Sequence, residues 1–401
     1  MAQPNAIIVL AEALRLDCAP SANNKDLKTP NLTALAKHGL SFDQAITQHP
    51  LASPARATLL TGQYPSDHGI TLDSPGPPAS AASLPRMLRD SGYTTAALGN
   101  TRSTVASDAQ GFDVLRQTGT ADSTKDDYLA WLAETSTAKQ PEQERSRTTW
   151  IGDQAIHFLR STQEPFFLLV CFTLPQPPLD PPPPWSATYN PLTLNPRPHL
   201  NLSDFSGKAS PEDRNELARY YATNSHMDSQ IGRILATVAG RGHTNNIITF
   251  TSDRGWALGA QEYIATGAPP HDTLLRVPLI LSGITGQRHG EIDHTPVELA
   301  DVMPTLLEAA SCTHPPNIPG KSLLPLLNDR TARHRTAAYA ESTNGIRLAR
   351  TQRHKLIEFP GEKPNALFDL KSDPNETKNL LGNPKTISEQ VKLTQLLRRI
   401  R

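Results

Sequence analysis

Four short, nearly uninterrupted apolar runs constrain this chain more than any other feature: NAIIVLAEAL (5–14), TTAALG (94–99), PFFLLVCFTL (165–174) and NIITFTSD (246–253). A strand with one wet face alternates apolar and polar residues. A run that is apolar at almost every position must be covered on both sides, as strands are inside a parallel sheet. Helical stretches separate the runs. NLTALAKHG (31–39) spaces Leu32 and Leu35 on one face and stops at Gly39. SPARATLLTG reads as a helix starting near Ser53, with Pro54 at its first position and Gly62 past its end. PEDRNELARYYATNSHMDSQIGRILATVAG (211–240) is one long helix. The alternation predicts an α/β fold, a mostly parallel central sheet flanked by helices. The character changes near residue 330. YAESTNGIRLARTQRHKLIEF and then ALFDLKSDPNETKNLL predict short antiparallel strands, a turn and a terminal helix. The expected division is a large α/β domain over 1–329 and a small C-terminal α+β domain over 330–401, which suits a 401-residue chain.

Charge excludes some partners. Lys plus Arg number 39 and Asp plus Glu 39, so no overall field draws the chain to nucleic acid or to an anionic membrane, and recognition of charge must be local. The three cysteines, Cys18, Cys171 and Cys312, are odd in number and far apart, giving neither a disulfide framework nor a metal knuckle. Cys171 sits inside an apolar run and reads as a small buried hydrophobe. The N-terminal run IIVLA lacks a basic leader and is too short for a membrane span, so a cytoplasmic location is expected. The proline-rich LPQPPLDPPPPW (174–185) must be an extended loop.

Several longer segments carry a family resemblance in their order. TPNLTALAKHGLSFDQAI (29–46), PLASPARATLLTGQYP (50–65), GYTTAALGN (92–100), FTSDRG (250–255), LRVPLILSG (275–283), DVMPTLLEAA (301–310), IPGKSLLPLL (318–327) and LFDLKSDPNETKNL (367–380) resemble landmarks of the type I sulfatases of the alkaline-phosphatase superfamily, nearly end to end. The resemblance implies sulfate-ester hydrolysis by a formylglycine, made from the Cys of a Cys-Xaa-Pro-Xaa-Arg signature, beside a Ca²⁺ held by Asp pairs. It also places that nucleophile at a helix N-terminus, where unpaired N–H groups favour an anion.

The matched positions depart from that pattern. The signature falls on Ala52-Ser53-Pro54-Ala55-Arg56, and a methyl group can be neither oxidised to an aldehyde nor made to attack. The family's Ala-Asp-Asp matches Ala11-Glu12-Ala13, its Asp-Asn or Asp-His matches Asp253-Arg254, its Lys-Trp-His matches Asn100-Thr101-Arg102, and the His of its Pro-His matches Gln176. The second Lys expected before LRVP is absent from Gly267, Ala268, Pro269 and Pro270. Ca²⁺ wants six to eight oxygen ligands, so no metal and no cofactor is expected here. Arg254 is expected to stand in the metal's place, neutralising Glu12 and Asp253.

Arg56, Arg102 and Arg254 map to one pocket, which would suit an anionic small molecule. Ser53 lies one residue out of register with the nucleophile, so helix capping is the expected role of its hydroxyl, with His49 or His271 as the base in the alternative. His271 and Asp272 read either as an acid–base pair or as a surface loop. His226 and Asp228, in the long helix, read as structural, and Trp185 as a pocket wall or ordinary packing. Three functions stay open. They are a metal-independent enzyme, of lyase, cyclase, transferase or condensation type, using Glu12, Arg254, His271 and Asp272; a catalytically dead relative that binds a ligand or partner; and a residual sulfate or phosphate ester hydrolase.

Overall fold

The computed structural model describes residues 3–71, 82–101, 111–119, 126–135, 141–195, 209–242, 245–257, 270–361 and 365–399. Its centre is an eight-stranded sheet. In chain order the strands are β1 (Asn5–Glu12), β2 (Gly39–Phe42), β4 (Thr94–Gly99), β5 (Val114–Gln117), β6 (Phe166–Pro175), β7 (Asn246–Ser252), β8 (Leu279–Ser282) and β9 (Glu291–Asp293). Across the sheet they run β5-β4-β6-β1-β7-β8-β2-β9. Only β8 is antiparallel to its neighbours, so the other seven strands end on one edge. A two-stranded pair, β3 (Ala45–Ile46) with β10 (Val297–Glu298), lies apart from the large sheet.

The apolar runs form the strands they predict because each strand has two covered faces. Along β1, Ile7, Val9 and Ala11 join one core with the Arg147–Ser161 and Pro211–Gly240 helices, through Trp150, Leu159, Tyr220 and Tyr221. Ala6, Ile8 and Leu10 join the other, with the Ala52–Thr61, Leu84–Asp90 and Val302–Ala309 helices. Every residue of β1 is buried, as the continuous run requires. Cys171 is fully buried in β6. Among the described residues, no helix is long and apolar enough to cross a membrane.

The end of the chain forms an antiparallel sheet, β11 (Ala338–Ser342), β12 (Ile346–Arg350), β13 (His354–Glu358) and β14 (Ala366–Asp369), with the Ile387–Arg399 helix against it. Ile46 and Leu275 share a core with this sheet, which fastens it to the large one. The residues read as structural in the long helix act so. Asp228 accepts hydrogen bonds from the backbone N–H groups of Asn31 (3.1 Å) and Leu32 (2.8 Å), capping the Pro30–His38 helix, whose own N-cap residue, Thr29, makes no side-chain cap. His226 stacks on Trp185 with ring centroids 4.2 Å apart. That contact gives Trp185 the packing role.

Candidate functional site at the strand ends

Four strand ends and one helix bring the matched residues together. Glu12 closes β1, Asn100 follows β4, Gln176 follows β6, and Asp253 and Arg254 follow β7. The Ala52–Thr61 helix points its first turn at them, and every one of its residues is buried. It begins at Ala52, one residue earlier than the sequence predicts, with Leu51 as the N-cap. Pro54 is tolerated at its third position because the first four helical N–H groups have no intrahelical partner to lose. Ser53 therefore lies inside the first turn and does not hold the capping position. His49 Nδ1 accepts from the Leu51 N–H at 3.1 Å, and burial pulls this imidazole down to about 3, so it is neutral at ordinary pH.

At the centre is the Arg56 guanidinium, fully buried. Its Nε donates to Asp253 Oδ2 at 2.8 Å, its Nη1 donates to the Asn100 carbonyl at 2.7 Å, and its Nη2 lies 2.8 Å from Asp253 Oδ2 and 3.1 Å from Glu12 Oε2. Asn100 Nδ2 donates to the same Glu12 oxygen at 2.6 Å, and the Ala13 N–H donates to Asp253 Oδ1 at 3.1 Å. Burial opposes the Arg56 charge, but Asp253 and Glu12 outweigh it and hold the group cationic. For Glu12 burial is the larger effect. Its carboxyl is raised above the usual carboxylate range despite Arg56.

This corrects the expectation for Arg254. The cation spanning Glu12 and Asp253 is Arg56, the signature arginine. Arg254 Nη2 instead donates to Gln176 Oε1 at 2.5 Å, while its charge still lowers the Glu12 carboxyl from a distance. The reason is geometric. The Gly255 N–H donates to the Leu274 carbonyl at 2.8 Å, and a Cβ at Gly255 would meet the Thr273 carbonyl oxygen at 1.8 Å, so the turn after Arg254 is pinned.

His271 and Asp272 are brought to a different place. Arg350 Nη2 lies 2.7 Å from Asp272 Oδ2, and Lys355 Nζ lies 3.5 Å from Asp272 Oδ1 and 2.6 Å from Glu376 Oε2. His271 Nδ1 is 3.7 Å from Glu376 Oε1. The pair thus belongs to an ion cluster shared with the C-terminal sheet. Arg102 and positions 267–269 lie outside the described residues.

Sequence reasoning missed two features. Arg350 and Lys355 carried no motif, and Glu376 lay within the landmark LFDLKSDPNETKNL with no role read for it. Ala13, the residue after β1, has φ 63°, left-handed backbone that a non-glycine residue adopts only under constraint. Tyr220 holds it there, donating its hydroxyl to the Ala13 carbonyl at 2.8 Å, and this is what aims the Ala13 N–H at Asp253.

The donor set does not fit the divalent cation that the resemblance implies. Glu12 and Asp253 are the two carboxylates present. Their inner oxygens are taken by Arg56, Asn100 and the Ala13 N–H, and no cluster of three His, Cys, Asp or Glu that could hold a metal occurs among the described residues.

Comparison with known proteins places this architecture. The sulfatase family model matches residues 4–312, and a model described as N-sulphoglucosamine sulphohydrolase, C-terminal, matches 270–401. The chain belongs to the sulfatase family. This sulfatase-family chain is 27% identical to an arylsulfatase of Clostridium perfringens over 95% of its own length and 91% of the relative's. It is 28% identical to an ulvan-active sulfatase of Formosa agariphila, over 95% of its length and 78% of the relative's. The phosphonate monoester hydrolase of Agrobacterium radiobacter has the same fold, with TM-score 0.82 at 23% identity over 100% of this chain and 95% of that one.

Proposed function

We propose that this member of the sulfatase family does not hydrolyse esters by the sulfatase route and instead binds an anionic small molecule at the strand-end site. The observation that carries the reading is the Arg56 guanidinium lying across Glu12 and Asp253 beside the Ala52 methyl. The two carboxylates that would hold a divalent cation already share an internal one, and the nucleophile's position carries no reactive atom. The groups that remain beside them are electropositive: the N-terminal turn of a ten-residue helix, and Arg254, held by a neutral partner, Gln176. The similar arylsulfatase and phosphonate monoester hydrolase act on sulfate and phosphonate esters, which supports an anionic group of that kind as the guest.

The experiment pairs turnover with binding. The purified chain is offered 4-nitrophenyl sulfate and a 4-nitrophenyl phosphonate monoester with Ca²⁺, Mg²⁺ or Mn²⁺, and sulfate-ester binding is measured by calorimetry. The reading expects no turnover above background and binding weakened at least tenfold in Arg254→Ala. Turnover abolished by Ser53→Ala would overturn it.

A second reading, enzymatic and metal-independent, is favoured by Glu12, whose raised carboxyl beside Asn100 is a candidate for proton transfer. It expects that, once a turned-over ligand is found, Glu12→Gln abolishes turnover and leaves ligand affinity unchanged.

A further inference from the structure

The same strand-end edge carries a second polar cavity, of about 330 Å³, whose walls include Arg15, Asp17, Ser21, Asp43, Arg276 and Asn375. Glu12, Ala52, Arg56, Asn100, Gln176, Asp253 and Arg254 take no part in its lining, so it stands apart from the site described above. Its volume is at the lower end of small-molecule sites, about 300–1,000 Å³. It has room for a single ring and not for an oligomer.

Its charges are unevenly matched. Asp17 takes Arg15 Nε at 2.8 Å and Nη2 at 2.7 Å. Asp272 is held by Arg350 and Lys355. Asp43 faces His294 Nδ1 at 2.8 Å and Gln44 Nε2 at 3.2 Å. Arg276 differs from all of these. Its Nη2 donates to the Asp43 backbone carbonyl at 2.7 Å, its Nε is buried with no hydrogen-bond partner, and among the described residues no carboxylate stands within ion-pair distance of it. Burial and the neighbouring Arg350 guanidinium work against its charge, and Asp272, Asp43 and Asp17 support it only from beyond ion-pair distance. A guanidinium with no carboxylate in direct contact is incompletely compensated, and an oxyanion on its cavity-facing N–H groups would complete it. The other walls offer carboxylate, amide and hydroxyl groups, which suit hydroxyls on the rest of a ligand.

We propose that this cavity binds a small hydroxylated carboxylic acid, with its carboxylate on Arg276 and its hydroxyls on the Asp17, Asp43 and Asn375 walls. The test uses D-glucuronate as the probe, methyl glucoside as a neutral control and inorganic sulfate as a bare oxyanion, each titrated calorimetrically into the full chain. Glucuronate is expected to bind at least tenfold more tightly than either control, and Arg276→Met to lose at least tenfold. Because Arg276→Met removes a half-buried side chain, its fold is checked by near-ultraviolet circular dichroism. Asn375→Asp provides a second variant that adds negative charge to the wall without touching the buried arginine, and it is expected to weaken glucuronate at least fivefold. Absence of glucuronate binding, equal binding of methyl glucoside, or unchanged binding in Asn375→Asp would overturn the proposal. Sulfate binding as tight as glucuronate would overturn the role given to the hydroxyls.

Discussion

Two buried ion clusters on one edge of this molecule treat their carboxylates in opposite ways. Glu12 and Asp253 share Arg56, while Asp272 and Glu376 share Arg350 and Lys355. All four cluster carboxylates are deep in the fold. Burial raises Glu12, Asp272 and Glu376, yet Glu12 stays raised, whereas Arg350 and Lys355 bring Asp272 below the usual range and Lys355 and His271 do the same for Glu376. The difference lies in the number of cations in direct contact. Arg350 and Lys355 both touch the Asp272 and Glu376 pair, a compensated clamp between sheets. Glu12 and Asp253 share one guanidinium in contact, Arg56, with Arg254 acting on Glu12 from farther away.

The largest effect expected from breaking this comparison is in Arg56→Leu. It strips both carboxylates of the guanidinium they share, and removing one partner of a buried ion pair costs about 3–5 kcal/mol. Lys355→Met should fall at the lower end of that range, about 3 kcal/mol, because Arg350 still faces Asp272. Denaturant unfolding at pH 7 checks both. Equal losses in the two variants would show that cation number does not matter.

pH sharpens the contrast next. For Glu12 the folded carboxyl is raised above its unfolded value of 4.5, so the stability it contributes is complete below that value and is lost as pH rises through the folded pKa. Glu12→Gln should therefore be more stable than the parent at pH 7, with the gap closing towards pH 4. For Asp272 the folded carboxyl is lowered from 3.8, so its contribution is present above that value and is lost as pH falls through the folded pKa. Asp272→Asn should accordingly be less stable than the parent at pH 7 and flatten the acid limb. Thermal unfolding from pH 3 to 8 reads both, and a common sign for the two variants would contradict the assignment. The smallest effect expected is in Ala13→Gly. Relief of left-handed strain, offset by the entropy that glycine gives the unfolded chain, should leave a gain of roughly 0.5–1 kcal/mol in denaturant unfolding.

How much of this was readable in advance follows from what each feature depends on. TTAALG forms β4 over the very residues 94–99, because burial on both faces leaves an unbroken apolar run and needs no knowledge of neighbours. Arg56 and Asp253 were legible through the family resemblance of the segments that hold them. The partner of Arg56 was not, since which of two nearby arginines spans the carboxylates depends on the turn pinned at Gly255, a contact with a segment beginning at 271. The partners of His271 and Asp272 were not legible either. Their partners sit at 350, 355 and 376, and nothing in HKLIE says that its lysine turns inward. Ala13 was invisible because alanine, unlike glycine, gives no sign that it will adopt left-handed backbone.

The position of β1 has a consequence for how the chain must be assembled. β1, at 5–12, is flanked by residues 166–175 on one side and 246–252 on the other. The Pro30–His38 helix takes its N-terminal cap from Asp228, 197 residues from Asn31. A nascent chain shorter than about 250 residues thus carries a finished central strand with one open edge, and pairing over such separations makes folding slow and exposes the apolar run meanwhile. Completion of the inherited scaffold waits on the emergence of β7, about 240 residues after β1.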